Sequence, residues 1–326
     1  MSESLRMKKG NFYNNEFIAP LIKTEKVYSS STLNLNDHQV QRNFPPGSEW
    51  VYYKLYCGIK SADKILLELI YPLVVKFLSD NKIDKWFFIR YNDPDFHLRL
   101  RFHLTDKNNF GEFIKSFSSI IADFEKENII WKTDLATYQR ELIRYTPPAM
   151  DLSETLFCID SMQKLLFLKA TAGDEREDIR WLWGIKIIDQ ILYAFNFPLE
   201  QKYLLVQTLK DNFSKEFNVS KIFFQQLNKK YRLNKIKIEK MIKGEEILIT
   251  LAQLEKEYSF NNIAIQILSL IGTEKNYNLN NIVSSYIHMS LNRLFISSPR
   301  MQEMIVYDFL FQYYNGEIKR KANMNN

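Results

Sequence analysis

One continuous stretch decides the fold predicted for this chain. It reads WFFIRY at residues 86–91, NDPDF at 92–96 and HLRLRFHL at 97–104. The middle segment contains turn-forming Asn, Asp and Pro, and the aromatic residues around it favour extended backbone, so the stretch predicts a β-hairpin. In the second strand, apolar side chains alternate strictly with basic or titratable ones. We call the second set the basic face: His97, Arg99, Arg101 and His103.

The basic face has two interpretations. The polar face of an antiparallel strand commonly contacts water, which would explain these side chains without any ligand. Alternatively, four such side chains in so hydrophobic a hairpin form a binding site for an anion. The hairpin by itself leaves both interpretations open.

The segments around the hairpin predict a ferredoxin-like unit. A strand at residues 50–57 and a helix at 61–78, which Pro72 should disturb, precede the hairpin. A helix at 108–126 and an extended segment at 131–141 follow it. This strand, helix, strand, strand, helix, strand order is the split βαβ pattern. In that topology the second hairpin strand is central, and both helices cover its apolar face.

The rest of the chain is predicted to be a polar arm and a helical half. Residues 1–45 are rich in Asn, Ser and Lys and are expected to form an extended polar arm, with ordered structure starting at Glu49. The sheet unit then spans residues 46–148 and the helical half residues 149–326. We expect the helical half to pack on the basic face, giving one compact α+β domain over 46–326. Apolar residues recur at helical spacing in these segments: 152–171, 176–196, 199–214, 220–242, 249–257, 260–272, 280–296 and 300–316.

The composition excludes several classes of protein. The 44 Lys and Arg exceed the 38 Asp and Glu by six, which is mild for 326 residues and unlike a dedicated nucleic-acid binder, yet compatible with anionic substrates. Cys57 and Cys158 have neither metal-site nor disulfide spacing, which fits a reducing cytoplasm. No apolar run is long enough to span a bilayer, and the first residues do not resemble a signal peptide. We therefore expect a cytoplasmic protein.

A second charged group follows the last predicted strand, in the segment YQRELIRY at residues 138–145. Glu141 and Arg144 lie three residues apart, and the simplest interpretation is a surface turn with a local ion pair. If the segment instead lies beside the basic face, Arg144 joins Arg99 and Arg101. Three guanidinium groups in one place would repel one another without an anion, and arginine binds carboxylates through two parallel hydrogen bonds.

A polar stripe on an otherwise apolar helix is the third group. Ser284, Ser285, His288 and Asn292 recur at helical spacing and share one face. The stripe either lines a cavity or contains a buried, hydrogen-bonded histidine. No second His, Cys or carboxylate lies at metal-ligand spacing from His288, so no metal site is predicted.

Four motifs, in their order along the chain, resemble the C-terminal elimination domain of class I lanthipeptide dehydratases. That domain also occurs as free-standing thiopeptide-type bacteriocin biosynthesis proteins. The motifs are GSEW at 47–50, IRYNDPDFHLRLR at 89–101, YQRELIRY at 138–145 and HMSLNRL at 288–294. The resemblance extends from Pro45 to the C-terminus. It does not include the large glutamylation domain of full-length dehydratases, so we expect one half of a split enzyme.

The resemblance implies a reaction and its partners. In the family, a glutamylation protein uses glutamyl-tRNA to esterify Ser or Thr of a precursor peptide with glutamate. The elimination domain then expels glutamate and leaves dehydroalanine or dehydrobutyrine. For this chain the resemblance implies a lyase with no cofactor and no direct contact with nucleic acid. Its implied partners are the precursor peptide, a separate glutamylation protein dependent on tRNA-Glu and, as an option, a second copy of the chain.

The resemblance also implies site residues. By motif match, the residues linked to elimination are Arg99, Arg101, Glu141, Arg144 and His288. Motif residues beside them are predicted to bind substrate: Arg90, His97, Asn292 and Arg293. This chain departs from the family at Thr146, Pro147 and Pro148, where glycines are common. The loop after Arg144 is therefore expected to differ.

The residue types suit an elimination. The reaction needs a base for the Cα proton, stabilisation of enolate charge and a grip on the leaving glutamate. Guanidinium groups supply the last two, and His288 can transfer a proton near neutral pH. The residues do not identify the base itself.

Two alternatives remain open. The same fold occurs in thiopeptide pyridine synthases, which join two dehydroalanines by a formal cycloaddition and need no grip on glutamate. A non-catalytic scaffold that presents a precursor peptide is the other, and it would tolerate changes at Arg99. The presence of all three family arginines favours elimination.

Overall fold

The computed structural model describes residues 40–171, 175–245, 256–272 and 277–324. These residues form a small antiparallel sheet unit followed by a larger helical part, which confirms the predicted α+β class. Most of the predicted polar arm and of the predicted helix at 249–257 lies outside the described residues.

The sheet unit has the predicted ferredoxin-like topology. Four strands pair antiparallel in the order β3-β4-β2-β5, so β4, the second strand of the hairpin, is central. A short pair, β1 with β6, forms a second sheet. The strands are β1 (Asn43–Phe44), β2 (Trp50–Cys57), β3 (Ile83–Asn92), β4 (Phe96–Leu104), β5 (Ile130–Ala136) and β6 (Tyr138–Gln139).

The helices follow the predicted segments closely. The π-helical stretch Ile65–Ile70 precedes Pro72, which agrees with the disturbance expected from a residue that lacks an N–H group. The last helix continues beyond the predicted end at residue 316, because good helix formers follow Gly316. The helices are α1 (Ala62–Lys64), α2 (Tyr71–Ser79), α3 (Phe110–Lys126), α4 (Leu142–Tyr145), α5 (Met150–Ala170), α6 (Glu175–Ala194), α7 (Leu199–Glu216), α8 (Lys221–Lys243), α9 (Asn261–Ile271), α10 (Leu279–Leu294) and α11 (Pro299–Met324).

The apolar face of β4 lies beneath the helices of the sheet unit, as predicted. The Phe102 ring lies 5.3 Å from that of Phe113 and 5.8 Å from that of Phe117, both on α3. Phe77 of α2 joins the same cluster at 5.1 Å from Phe113. Full burial stabilises each such side chain by about 1.5–3 kcal/mol relative to exposure in water, so this layer is a main part of the core.

The helical part packs on the basic face, also as predicted. Phe87 of β3 pairs directly with Arg101 of β4, so both side chains project from that face. The Phe87 ring lies 5.3 Å from the ring of Phe157 on α5. At the edge of the same sheet, Lys85 forms an ion pair of 2.8 Å with Asp151 of α5. The basic face is therefore mostly enclosed.

Side chains from the helical part occupy the outer edge of β3. The Phe88 N–H donates to Ser161 Oγ at 3.3 Å, and the Phe88 carbonyl accepts from Arg293 Nε at 2.7 Å. Two residues further, the side-chain amide of Asn292 bonds both the N–H and the carbonyl of Arg90, at 3.1 and 3.0 Å. These bonds satisfy main-chain groups that an edge strand would otherwise leave free.

Ordered structure begins earlier than the sequence predicted. Phe44 is 2% exposed, and its ring stacks on Tyr138 with 5.8 Å between centroids. The expected start at Glu49 was therefore wrong. A two-residue strand has no detectable periodicity, and one aromatic residue among polar neighbours gave no signal of a core element.

Two further features concern the part of the chain that the structure describes. None of its helices is both long and apolar enough to cross a membrane. Cys57 and Cys158 are free thiols, and burial raises the pKa of each to about 11.

Candidate functional site

Arg101 is the centre of the candidate site, because its guanidinium group is buried without a carboxylate partner among the described residues. Its side chain projects from central strand β4 and is 7% exposed. The guanidinium carbon lies 4.5 Å from the ring centre of Tyr52, 5.0 Å from that of Tyr138 and 5.2 Å from that of Phe87. Its Nε and Nη1 atoms have no hydrogen-bond partner within the described ranges.

The aromatic rings compensate only part of the cost of burying Arg101. A cation over an aromatic face gains about 0.5–2 kcal/mol, whereas removing an ion from water costs several kcal/mol. Burial accordingly lowers the pKa of Arg101, although a guanidinium stays charged at neutral pH. A buried cation whose N–H donors lack a partner is electrostatically suited to an anion.

Arg99 is oriented by two neighbours on the same face of the hairpin. Its guanidinium carbon lies 3.3 Å from the ring centre of Tyr91, and its Nε donates to His97 Nε2 at 3.1 Å. His97 Nδ1 donates to the Asp95 carbonyl at 2.8 Å, which leaves Nε2 free to accept. Burial lowers the pKa of His97, and the charge of Arg99 lowers it further, so the imidazole is neutral and does not repel the guanidinium.

Glu141 and Arg144 form an ion pair close enough to Arg101 for the charge of Glu141 to act on it. Arg144 Nε is 3.2 Å from Glu141 Oε2 in a solvent-exposed ion pair, which contributes little to stability. The charge of Glu141 favours the cationic form of Arg101, whereas Arg99 disfavours it. The structure thus brings Arg99, Arg101 and Glu141 into one electrostatic neighbourhood, to which Arg144 is joined through its ion pair.

The loop after Arg144 has an unusual backbone at Thr146. Thr146 has a φ of 61°, a left-handed conformation that a β-branched residue rarely adopts. Its side chain is buried, and its Oγ1 has no hydrogen-bond partner among the described residues. Backbone strain of about 1–3 kcal/mol is typical of such positions and is concentrated at functional sites.

A pocket of about 480 Å³ opens beside Glu141 and Arg144, and we call it the charged pocket. Asn281 and Ser285 of α10 line its far wall, and Arg42 lines its rim. Arg42 is held there because its carbonyl accepts from the N–H of Arg140 at 2.9 Å. The sequence assigned Arg42 to the polar arm, so it was missed as a site residue.

His288 forms a hydrogen-bonded group with α11. Its Nδ1 lies 3.0 Å from Glu303 Oε2, and the hydroxyl of Tyr307 donates to Glu303 Oε1 at 2.7 Å. Glu303 is 3% exposed, so its carboxyl group is enclosed beside the imidazole and fixes the orientation of the ring. Sequence reasoning missed Glu303; its spacing of four from Tyr307 on an apolar helix was the available signal.

The polar stripe of α10 connects these parts. Asn281 and Ser285 line the charged pocket, His288 follows one turn later, and Asn292 bonds the main chain of β3. These residues recur at helical spacing, so they lie on one face of α10. The predicted stripe therefore runs from the charged pocket to the sheet edge.

Arg90 lies on the other face of the hairpin. It pairs with Leu98 across the strands, and its Nη2 contacts Asp63 of α1 at 2.5 Å. Asp63 also accepts from Arg180 Nη2 at 2.8 Å. Arg90 is 4% exposed, and this placement argues against the substrate-binding role predicted for it. The motif alone could not show which face Arg90 occupies.

Arg293 and Asn292 are also placed where they hold the fold together. Arg293 is 1% exposed and its Nη1 contacts Asp160 Oδ2 at 3.0 Å. Asp160 also accepts from Lys164 and from Ser290. Burial alone would raise the pKa of Asp160, but Lys164 and Arg293 outweigh burial and lower it. These contacts, and those of His97 with Arg99, argue for positioning roles in place of the predicted direct binding of substrate.

Within the described ranges, no three His, Cys, Asp or Glu residues are grouped closely enough to hold a metal ion. The site that the structure presents consists of arginines, one carboxylate–imidazole pair and aromatic rings.

Comparison with known proteins identifies the family. Residues 50–314 match the family described as lantibiotic biosynthesis dehydratase C-term, so the chain belongs to that family. The resemblance predicted from the four motifs is confirmed. The chain is 26% identical over 314 residues to nisin biosynthesis protein NisB of Lactococcus lactis subsp. lactis, in an alignment that covers 93% of this chain and 29% of NisB. The chain thus spans less than a third of this relative.

Two solved structures share the fold. The tRNA dependent lantibiotic dehydratase MibB from Microbispora sp. 107891 matches with a TM-score of 0.68 at 16% identity, covering 84% of this chain and 29% of MibB. The pyridine synthase TbtD from thiomuracin biosynthesis matches with a TM-score of 0.53 at 10% identity, covering 82% of this chain and 99% of TbtD. At these identities the likeness concerns the fold alone.

Proposed function

We propose that this protein eliminates glutamate from glutamylated Ser or Thr residues of a ribosomally made precursor peptide. In this reaction a base removes the Cα proton and the electron pair forms the Cα=Cβ bond. The Cβ–O bond breaks, and glutamate leaves as a carboxylate. The product is dehydroalanine from Ser or dehydrobutyrine from Thr.

The buried, unpaired guanidinium of Arg101 is the observation that carries the proposal. An anion bound there would supply the missing partner for Nε and Nη1. The leaving carboxylate is such an anion, and its charge grows as the Cβ–O bond breaks. Fixed donors aimed at developing charge in a site of low polarity are among the strongest contributors to catalysis.

The other residues divide the remaining tasks. Arg99, held by Tyr91 and His97, binds the enolate or the glutamyl side chain, and Arg144, held by Glu141, lies at the charged pocket on the other side. His288 exchanges a proton at Nε2 while Glu303 fixes its orientation. The contacts of each group and the charge that the reaction develops support these roles.

The substrate must come from an esterification that attaches glutamate to Ser or Thr. We propose that a separate protein dependent on tRNA-Glu supplies the glutamylated peptide. A cycloaddition of two dehydroalanines needs no partner for a leaving carboxylate, so the unpaired Arg101 favours elimination over pyridine synthesis.

The test is to supply a chemically prepared, glutamylated peptide to the purified protein and to follow loss of glutamate by mass spectrometry. Wild-type protein should eliminate glutamate, and Arg101→Lys should do so about 100- to 1,000-fold more slowly, because lysine keeps the charge but lacks the planar pair of donors. Arg232→Lys, at an exposed position of α8, is the matched control and should behave as wild type. Full activity of Arg101→Lys would contradict the proposal.

A second arm distinguishes the alternatives. The unmodified peptide should not be dehydrated by this protein alone, even with glutamate and tRNA present. A peptide with two dehydroalanines should be returned unchanged, whereas its conversion to a ring product would favour the pyridine synthase alternative.

A further inference from the structure

A second groove, of about 600 Å³, adjoins the charged pocket between α7 and the first turns of α10. The two cavities share Asn281 and Ser285 in their walls, so they are neighbours along α10. From Asn278 to Ser285 the wall follows seven residues of helix, which is about 10 Å. That length matches about three residues of extended peptide.

The groove differs from the charged pocket in its chemistry. The described residues that line it comprise five carboxamides, three hydroxyls and three leucines, and none carries a charge. The side-chain amides of Gln201, Asn212 and Asn280 make no hydrogen bond to other described residues. Carboxamides donate and accept hydrogen bonds, as the main-chain groups of a peptide require. Leu204 adds an apolar surface that is 58% exposed.

We infer that this groove binds the segment of the precursor peptide next to the residue that loses glutamate. The inference rests on the proposed function, because it directs the glutamyl group past Glu141 of the charged pocket towards Arg101 and assigns the flanking residues to the groove. Charged side chains serve the anionic group, and neutral amides serve the peptide main chain. The groove fits uncharged residues with small apolar side chains. A nucleic-acid backbone is bound by Lys and Arg, and none of the described residues that line the groove is either.

The test fills the groove without touching the charged pocket. Thr208 is exposed on α7 and lines the groove, so Thr208→Trp should occupy it while the protein folds. Lys215→Trp is the matched control, because Lys215 is exposed on the same helix outside the groove. Two substrates are compared: a glutamylated peptide with five residues on each side, and glutamylated N-acetylserine methylamide, which has no flanking residues.

Thr208→Trp should raise KM for the long peptide about tenfold or more and leave kcat unchanged. The small substrate should be turned over by both variants as by wild type. Equal KM values for Thr208→Trp and wild type on the long peptide would overturn the inference, as would an equal loss on both substrates.

Binding is measured separately by fluorescence anisotropy with a labelled, unglutamylated peptide. Thr208→Trp should weaken this binding about tenfold, and Lys215→Trp should not. If wild type eliminates glutamate from neither substrate, the proposed function is contradicted. The anisotropy measurement then still shows whether the groove binds peptide. Binding of labelled RNA that Thr208→Trp abolishes, with peptide binding unchanged, would overturn the inference.

Discussion

Arg90 and Arg101 lie on adjacent strands of one hairpin, and both are buried, yet their surroundings are opposite. Arg90 projects towards α1 and contacts Asp63, and its Nε donates to the Arg293 carbonyl. Arg101 projects from the other face towards aromatic rings, with no carboxylate partner among the described residues. Burial alone therefore does not distinguish an arginine that holds the fold together from one that belongs to the candidate site. The groups next to the guanidinium make that distinction.

The same contrast extends to Arg293. Its guanidinium group is enclosed as completely as that of Arg101, but Asp160 compensates its charge. A paired buried arginine is costly to disturb, because removing one partner leaves the other charged and isolated. An unpaired one is costly to bury, so it does not stabilise the fold through its charge. The predictions below test this distinction.

The largest effect is expected at Asp160. Asp160→Ala leaves Arg293 and Lys164 buried without their shared carboxylate and should lower the free energy of unfolding by about 3–5 kcal/mol. Asp151→Ala is the matched control, because its ion pair with Lys85 is exposed on the aspartate side and should cost no more than about 1 kcal/mol. Urea titration followed by circular dichroism measures both. Equal losses would show that Asp160 is not the compensating group.

The next largest effects are expected when methionine replaces a buried arginine, at Arg293 or at Arg101. Arg293→Met should lower the free energy of unfolding by about 3 kcal/mol, because Asp160 and the Phe88 carbonyl lose a partner. Arg101→Met should not lower it, and should raise it by up to about 2 kcal/mol, because an uncompensated buried charge is removed. Arg101→Met should also abolish elimination. Similar destabilisation of the two variants would contradict the distinction between paired and unpaired buried arginines.

A smaller effect is expected for Tyr91, whose ring supports Arg99. Tyr91→Leu removes a cation–π contact worth about 0.5–1 kcal/mol at a partly exposed position, so elimination should slow about two- to fivefold. The free energy of unfolding should change little. Turnover of the glutamylated peptide measures the first effect, and an unchanged rate would mean that Tyr91 does not orient Arg99.

The smallest effect concerns His97 and pH. Because the pKa of His97 is lowered in the folded protein, the unfolded chain takes up this proton first as pH falls. Above the ordinary histidine pKa of about 6.5, His97 is neutral in both the folded and the unfolded protein and does not affect stability. As pH drops from about 6.5 towards the pKa of His97 in the folded protein, the free energy of unfolding declines. His97→Gln should flatten the stability curve between about pH 5 and 7. A slope identical to that of wild type would exclude His97 as its source.

The fold was predictable where patterns are local. The alternation in β4 identified its two faces, and the strand and helix order identified the sheet topology. Helical spacing located the long helices. The two-residue strand containing Phe44 was not predictable, because its stability comes from stacking on Tyr138 and pairing with β6, both distant in sequence.

The candidate site was predictable in its residues but not in its contacts. The pattern placed Arg99 and Arg101 on one face, whereas the rings around Arg101 come from three different strands and depend on their register. Arg90 was assigned to substrate because it lies in the same motif, and only the pairing with Leu98 reveals its face. Glu303 was missed as the partner of His288 because it lies on the next helix, where only its spacing from Tyr307 signalled it.

The edge of β3 has a consequence for how the protein handles polypeptides. A free strand edge is a template on which an extended chain can add as a further strand, by pairing its main chain with the sheet. At Phe88 and Arg90 the side chains of Ser161, Asn292 and Arg293 already use those main-chain groups. A flexible polypeptide that meets these two positions finds no free main-chain group to pair with. The middle of this edge is therefore closed to strand addition, which removes one route to aggregation along β3.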